Sequence, residues 1–317
     1  MNKIEINDCG LVGNLYSPDV QLGELPGIIL LSGSDGGIPG ANAIPESFIE
    51  SLVANNLVVL ALAYFGIECL PENLENIELE YFENAISWLK SRPQVKEDSI
   101  GIIGQSRGGE LALILGTLFS AQIKAIVACA PSSMMCGGFP HPNKPAWRYQ
   151  GQSLSPYLGG LSNSHADLTE LDDLTHAAAR KLITDSANTE KSPFIVAELF
   201  AARSLQNTDN SATIPVERIK CPLLLLSGDQ DTIWPSNYYC QLIMDRLDKC
   251  NSTIPRKHMN YGNAGHGVIA SYNGSIYHHV GKFWCTLGGS IDGNDVANRK
   301  SLSEVLSFFN KNLIKGW

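Results

Sequence analysis

Apolar and often β-branched runs recur along the chain at Gly27-Ile-Ile-Leu-Leu-Ser, Leu57-Val-Val-Leu-Ala-Leu-Ala-Tyr, Ile100 to Gly104, Ile123-Lys-Ala-Ile-Val-Ala-Cys-Ala and Cys221-Pro-Leu-Leu-Leu-Leu-Ser. Near-continuous runs of this kind suit strands buried on both faces. Helical patterns separate them: Ile44 to Asn55, Leu74 to Ser91, the stretch following Ser106, and Ser236 to Leu247. In the clearest, Leu79, Phe82, Ile86 and Leu89 share one stripe while Glu78, Glu80 and Lys90 lie away from it, so one face packs on a sheet. The alternation predicts an α/β protein whose mostly parallel, doubly wound sheet has right-handed crossovers and helices on both sides. Residues 1 to 17 read as a short antiparallel edge, Arg256 to Tyr261 as the last strand and Ser301 to Ile314 as a closing helix.

One stretch interrupts this rhythm. Between Pro131 and Pro215 the pattern offers no strand, yet Asp172 to Ser186 and Ser192 to Leu205 have helical composition. A structureless loop of that length is improbable in a compact domain, so residues 131–215 read as a cap inserted over the strand ends of a single domain, 1–317. A surface insertion unrelated to any reaction is the alternative.

The strand at Ile100 runs into Gly104-Gln-Ser-Arg-Gly and then into the helix-forming Glu110-Leu-Ala-Leu-Ile-Leu-Gly. This is the context of a nucleophile elbow, in which a sharp strand-to-helix turn forces the serine into a strained conformation and glycines relieve the crowding on either side. Ser106 would then sit at a helix N-terminus, where free N–H groups favour negative charge developing on a substrate oxygen. The pentapeptide alone could be a glycine-rich turn holding an ordinary serine, so the rest of the chain must supply its partners.

A serine hydroxyl needs a base, and the base needs a carboxylate to orient it. The strand ending at Ser227 leads into Gly228-Asp-Gln-Asp-Thr, at the C-terminal tip where open α/β sheets bind ligands. Asp231 can point across the sheet edge toward a histidine loop, while Asp229 is expected to cap the turn; a plain helix cap is the competing role for Asp231. Of seven histidines, His266 follows the expected last strand within Asn260-Tyr-Gly-Asn-Ala-Gly-His-Gly-Val, flanked by glycines that free its ring. His258 lies within that strand and reads as structural, His278 and His279 could line a pocket or face solvent, and His141, His165 and His176 fall in the cap. An oxyanion hole needs two N–H donors, which Arg107 and Ser34 would supply, with Asp35 a neighbouring candidate for the second.

Composition narrows the partners. A net charge of −9 without a basic cluster disfavours a nucleic-acid backbone as ligand. The glycines at 33–40 match neither a dinucleotide fingerprint nor a P-loop. Eight cysteines without C-x-x-C pairing read as free, mostly buried thiols, arguing against a structural metal or a disulfide framework. The first ten residues lack a signal-like apolar stretch and no segment approaches the ~20 apolar residues of a membrane span, so the chain reads as soluble, cytoplasmic and without a membrane partner. No cofactor is called for, and the oligomeric state is left open.

At this point the residues resemble those of the acyl-CoA thioesterases and bile acid-CoA:amino acid N-acyltransferases, in their C-terminal α/β-hydrolase domain. The segments that carry it are Leu60-Ala-Leu-Ala-Tyr-Phe-Gly, Leu79-Glu-Tyr-Phe-Glu, Gly104-Gln-Ser-Arg-Gly-Gly-Glu-Leu-Ala-Leu, Ile214-Pro-Val-Glu-Arg-Ile, Gly228-Asp-Gln-Asp-Thr-Ile-Trp-Pro-Ser and Gly265-His. The resemblance implies a triad of Ser106, Asp231 and His266, and a serine nucleophile implies thioester hydrolysis where a cysteine would imply transfer to an amino acid. Two departures stand out: about 25 residues precede the first core strand where the family usually carries a β-sandwich, and Gly267-Val-Ile-Ala-Ser-Tyr replaces the family's aromatic and proline residues after the histidine. The expectation is a serine acyl hydrolase acting on a small-molecule acyl thioester. A carboxylesterase of dienelactone-hydrolase type, an acyltransferase using an amine or alcohol, and a non-catalytic ligand-binding pocket are the rivals.

Overall fold

The apolar runs become strands of one sheet. The computed structural model describes residues 1–8, 10–20, 23–41, 44–139, 141, 144–154, 210–269, 277–280 and 283–314. Its strands are β1 (Asn2–Asp8), β2 (Leu11–Ser17), β3 (Leu25–Leu31), β4 (Val58–Ala63), the two-residue β5 (Ile77–Glu78), β6 (Val95–Gln105) and β7 (Ala125–Cys129), then β8 (Trp147–Tyr149), β9 (Gln152–Ser153), β10 (Leu223–Gly228) and β11 (Arg256–Tyr261). Eight of these form the main sheet in the order β1-β2-β4-β3-β6-β7-β10-β11. The first two pairings, β1 with β2 and β2 with β4, are antiparallel, and every pairing from β4 to β11 is parallel. The expected antiparallel edge over residues 1–17 is this hairpin.

Alternation along β3 assigns its two faces. Ile28 and Leu30 point into a layer with Phe48, Ile49 and Leu52 of α1 (Glu46–Ala54), while Ile29 and Leu31 point into one with Phe82, Ile86 and Leu89 of α2 (Glu80–Lys90). The second layer also takes in Leu111 and Leu115 of α3 (Arg107–Leu118) and Ile243 and Leu247 of α4 (Ser236–Lys249); the first takes in Val305 and Phe309 of α5 (Ile291–Phe309). Each such side chain contributes about 1.5–3 kcal/mol when fully buried, so neither face could be left open to water.

Three elements depart from the pattern read in the sequence. The helix expected from Leu74 begins at Glu80, because the backbone before it is committed elsewhere: Leu74 N–H donates to Phe139 O, Asn76 N–H to Pro145 O, and β5 pairs in parallel with β8. The region beyond Pro131 therefore contains two short strands, β8 and β9, where none was expected; residues 155–209, with the two segments of helical composition, lie outside the described residues. The closing helix starts at Ile291, ten residues early, where Ser290 Oγ accepts the Gly293 N–H at 3.0 Å as an N-cap. After β11 a further antiparallel pair, β12 (Tyr277–Val280) and β13 (Phe283–Thr286), stands apart from the main sheet.

The segment Ile214 to Ile219 is pinned to α4 through Glu217, whose Oε1 accepts from Arg246 Nη2 at 2.8 Å and whose Oε2 accepts from Arg246 Nε at 2.5 Å. The Arg246 guanidinium holds the Glu217 carboxyl below its ordinary value. A depressed carboxyl contributes stability above its unfolded pKa and loses it as pH falls through the folded one. Both side chains are about a third exposed, which limits the pair to under about 1 kcal/mol. Differential scanning should therefore find a small Tm gap between wild type and Glu217→Gln at neutral pH that closes through the carboxylate range; a gap independent of pH would contradict the assignment.

Among the described residues no helix is long and apolar enough to cross a membrane.

Candidate active site

Strand β3 is flanked by β4 on one side and β6 on the other, so the chain reverses its direction across the sheet at this point. In such sheets the usual ligand position lies beyond the C-terminal ends of the strands at this reversal. Ser106 stands at that end of the sheet, between the end of β6 and the first residue of α3, with φ 59° and ψ −119°. Its N–H donates to Cys129 O at 2.8 Å, fastening the turn to β7. A Cβ built on Gly104 would come within 2.0 Å of Gly108 O, and one on Gly108 within 2.3 Å of Ser32 O. Strand and helix approach so closely here that both positions exclude any side chain.

Arg107 occupies the first turn of α3, where backbone N–H groups have no intrahelical acceptor. The loop after β3 lies against the elbow: a Cβ on Gly33 would be 3.1 Å from Ser106 Cβ and 3.6 Å from its Oγ. Tyr64 Oη donates to Ser32 O at 2.7 Å and Gly37 N–H to Phe65 O at 3.0 Å, so the Leu60–Gly66 segment holds this loop in place. Ser34 is half-buried and Asp35 exposed, immediately after Gly33.

The acid and the base are brought together. His266 Nδ1–H donates to Asp231 Oδ2 at 2.8 Å, with both side chains buried. The other oxygen, Oδ1, accepts the N–H groups of Ile233 at 2.9 Å and Trp234 at 3.2 Å. One oxygen of the carboxylate thus serves the histidine and the other caps the turn; the helix-cap role weighed for Asp231 is not realised, since α4 starts at Ser236 with Pro235 as its N-cap and no side-chain cap. Capping falls to Asp231 rather than Asp229, whose own N–H donates to Tyr261 O while its side chain is exposed. The Trp234 ring meets the His266 ring edge to face, with centroids 5.5 Å apart, and its indole N–H donates to Ala130 O at 2.9 Å.

Among the other histidines, His258 Nε2 bonds to Ser227 Oγ at 2.8 Å, a structural role, and His141 bonds to Glu75 at the surface. His165 and His176, and the side chains of His278 and His279, lie outside the described residues. Cys129, Cys136, Cys221 and Cys240 are free and buried, Cys69 and Cys250 free and exposed. Among the described residues no group of three or more His, Cys, Asp or Glu side chains is placed to hold a metal ion.

A protein-family profile described as "BAAT / Acyl-CoA thioester hydrolase C terminal" matches residues 77–315. The chain belongs to this family. Acyl-coenzyme A thioesterase 1 of Homo sapiens is 29% identical over 307 residues, covering 95% of this chain and 63% of that protein. Acyl-coenzyme A amino acid N-acyltransferase 2 of Mus musculus is 28% identical over 321 residues, covering 99% and 66%. The chain thus spans under two thirds of the length of these relatives. Among solved structures, the alpha/beta hydrolase GrgF from Penicillium sp. sh18 aligns with a TM-score of 0.55 over 99% of both chains at 17% identity. The fold is that of an α/β-hydrolase.

Two supports of this family member's site escaped the reading of the sequence. The first is Glu110, fully buried in the first turn of α3. Its Oε1 accepts the Cys136 N–H at 3.1 Å and the Trp147 indole N–H at 2.9 Å. Arg107 Nη1 lies 3.2 Å from Oε2, close enough for charge attraction although off hydrogen-bond geometry, and Arg107 Nη2 donates to Cys136 O at 3.0 Å. Burial pushes the Glu110 carboxyl up, opposed by the Arg107 charge and the two donors. Burial likewise raises the Cys136 thiol to about 12, leaving it a neutral group packed against Trp234 and Tyr239.

The second support is the strap Leu287-Gly-Gly. His266 N–H donates to Leu287 O at 2.7 Å, while isolated bridges join Asp231 to Gly288 and Ala264 to Gly289. Asn294 Oδ1 accepts the Gly265 N–H at 2.8 Å, and its Nδ2 donates to Gly288 O at 3.2 Å. Gly288 has φ 79°, and a Cβ there would lie 1.7 Å from Gln230 O. Gly288→Ala should cost more than about 2 kcal/mol in urea unfolding and lower kcat, because strap and acid loop must separate. Gly151→Ala, at φ 72° with nothing within 4 Å, is the control and should cost only about 1 kcal/mol of backbone strain. Equal losses at the two positions would refute the strap.

Proposed function

We propose that this chain is a serine-dependent acyl hydrolase whose substrate is an acyl-CoA thioester, working through an acyl-enzyme on Ser106. The observation that carries the proposal is the bond from His266 Nδ1 to Asp231 in the loops facing the elbow, which reserves Nε2 for the serine proton. In this mechanism Nε2 takes the Ser106 proton as Oγ attacks the thioester carbonyl carbon, and the carbonyl π pair moves onto oxygen. The N–H groups of Arg107 and Ser34 receive that oxyanion, with Asp35 the alternative to Ser34. Collapse expels the thiolate, which takes the proton back from His266. Water then attacks the acyl-enzyme with His266 again as base, releasing the acid and restoring Ser106. Residues 131–215 act as a lid whose root, at Cys136 and Trp147, is tied to α3.

Serine rather than cysteine at position 106 supports thioester hydrolysis over transfer to an amine. The N-acyltransferase among the relatives supports transfer as the second reading. A panel of acyl-CoA chain lengths, followed by thiol release beside p-nitrophenyl esters, should show turnover fastest on thioesters. Preference for the oxygen esters would point to a carboxylesterase, and amide product on adding glycine or taurine to a transferase. Failure of every acyl donor would leave a binding pocket as the reading.

A further inference from the structure

His266 sits between two glycines, and its position relative to Ser106 must be set by what holds its backbone and its ring. Its N–H is taken by Leu287 and its ring Nδ1 by Asp231, and the preceding N–H, of Gly265, by Asn294. All three fix the base to the acid side of the site. Its carbonyl oxygen accepts from Gln105 Nε2 at 2.7 Å. Gln105 is the residue before Ser106 at the end of β6, and it is 3% exposed. Among the described residues this is the hydrogen bond that runs from the histidine loop to the nucleophile strand.

The other end of the amide makes a purely structural role a poor explanation. Gln105 Oε1 is buried and meets no donor among the described residues. Leaving such an oxygen unpaired costs at least what the single bond to His266 O returns. An apolar side chain of the same length would serve the core as well. What it could not do is bind the neighbour of the base to the neighbour of the nucleophile.

We propose that Gln105 is a positioning residue, which sets the distance and angle between the His266 ring and Ser106 by holding the His266 carbonyl to β6. The proposal rests on the serine mechanism given above. Displacing a reacting pair by about 1 Å costs on the order of 10²-fold in rate. Removing the amide should thus slow every step in which the proton moves between Ser106 and His266, with little effect on substrate binding or on folding.

The test compares wild type with Gln105→Met, which keeps length and loses the donor, and Gln105→Leu, which loses the donor with a shorter apolar side chain. A fluorophosphonate labels Ser106 through the same proton transfer, and active-site titration with it normalises every rate to folded protein. Both variants should be labelled about 10–100-fold more slowly than wild type and show a matching fall in kcat, with KM within about threefold. In proton NMR, the low-field resonance of the His266 Nδ1–H bonded to Asp231 should shift or broaden. Gln105→Met should keep its Tm nearly unchanged, since it discards one bond and one unpaired oxygen together. Wild-type labelling rates and an unmoved low-field proton in whichever variant folds would overturn the proposal. No labelling of the wild type at Ser106 would instead overturn the serine mechanism, and the proposal with it.

Discussion

Ser106→Ala is expected to lower kcat on the best acyl substrate by about 10⁵–10⁶-fold, the loss typical when the nucleophile of a cooperating set is removed. The fold should survive, because no hydrogen bond of the Ser106 side chain caps α3 and the anchoring contact, Ser106 N–H to Cys129 O, is backbone. Alanine inherits the strained φ of 59° and ψ of −119°, whereas glycine tolerates that conformation. Ser106→Gly should be equally inactive yet about 1 kcal/mol more stable than Ser106→Ala in urea unfolding. Comparable turnover in wild type and Ser106→Ala would sink the mechanism. Equal stability of the two variants would mean that the elbow stores no strain.

Glu110→Ala is expected to destabilise the protein by about 3–5 kcal/mol, the range found when one partner of a buried charged pair is deleted. It strands two donors, the Cys136 N–H and the Trp147 indole N–H, and leaves the buried Arg107 guanidinium without its counter-charge. Glu110→Gln should cost less, since an amide oxygen can still accept from Cys136 and Trp147. Arg107→Met alone leaves Glu110 both of its donors and removes only the charge partner, and combining it with Glu110→Ala should recover part of the loss, giving a coupling energy in a double-mutant cycle. Additive losses would show that the two side chains act independently. A loss under about 1 kcal/mol for Glu110→Ala would show that the carboxyl is not what holds Cys136 and Trp147 to α3.

How far the sequence could be read depended on whether a residue's role was local. The elbow was legible because its causes lie within ten residues: an apolar strand, two glycines with no room for a Cβ, and a helix start. The strand read at Arg256 to Tyr261 is found with those bounds. Asp231 and His266 could be proposed because each follows a strand, and the structure joins them through Nδ1 and Oδ2. Glu110 was read only as part of a helix-forming stretch, since the partners that bury it come from Cys136 and Trp147. Leu287-Gly-Gly carried no period at all, and its meaning resides in contacts with Asp231, Ala264 and His266. At Leu74 to Leu79, pairing with the 139–148 stretch overrode a helical composition that was correctly perceived.

The strap also fixes the order in which the site can come into being. During synthesis from the N-terminus, the elbow and its donors can form once β7 has emerged, for they need only residues up to about Cys129. The acid and base loops bond to each other directly, and gain the clasp of Leu287 to Gly289 and of Asn294 on Gly265 only once those later residues have been made. On the mechanism proposed above, the turn that carries Ser106 is therefore synthesised well before the strap and the helix that support its partners.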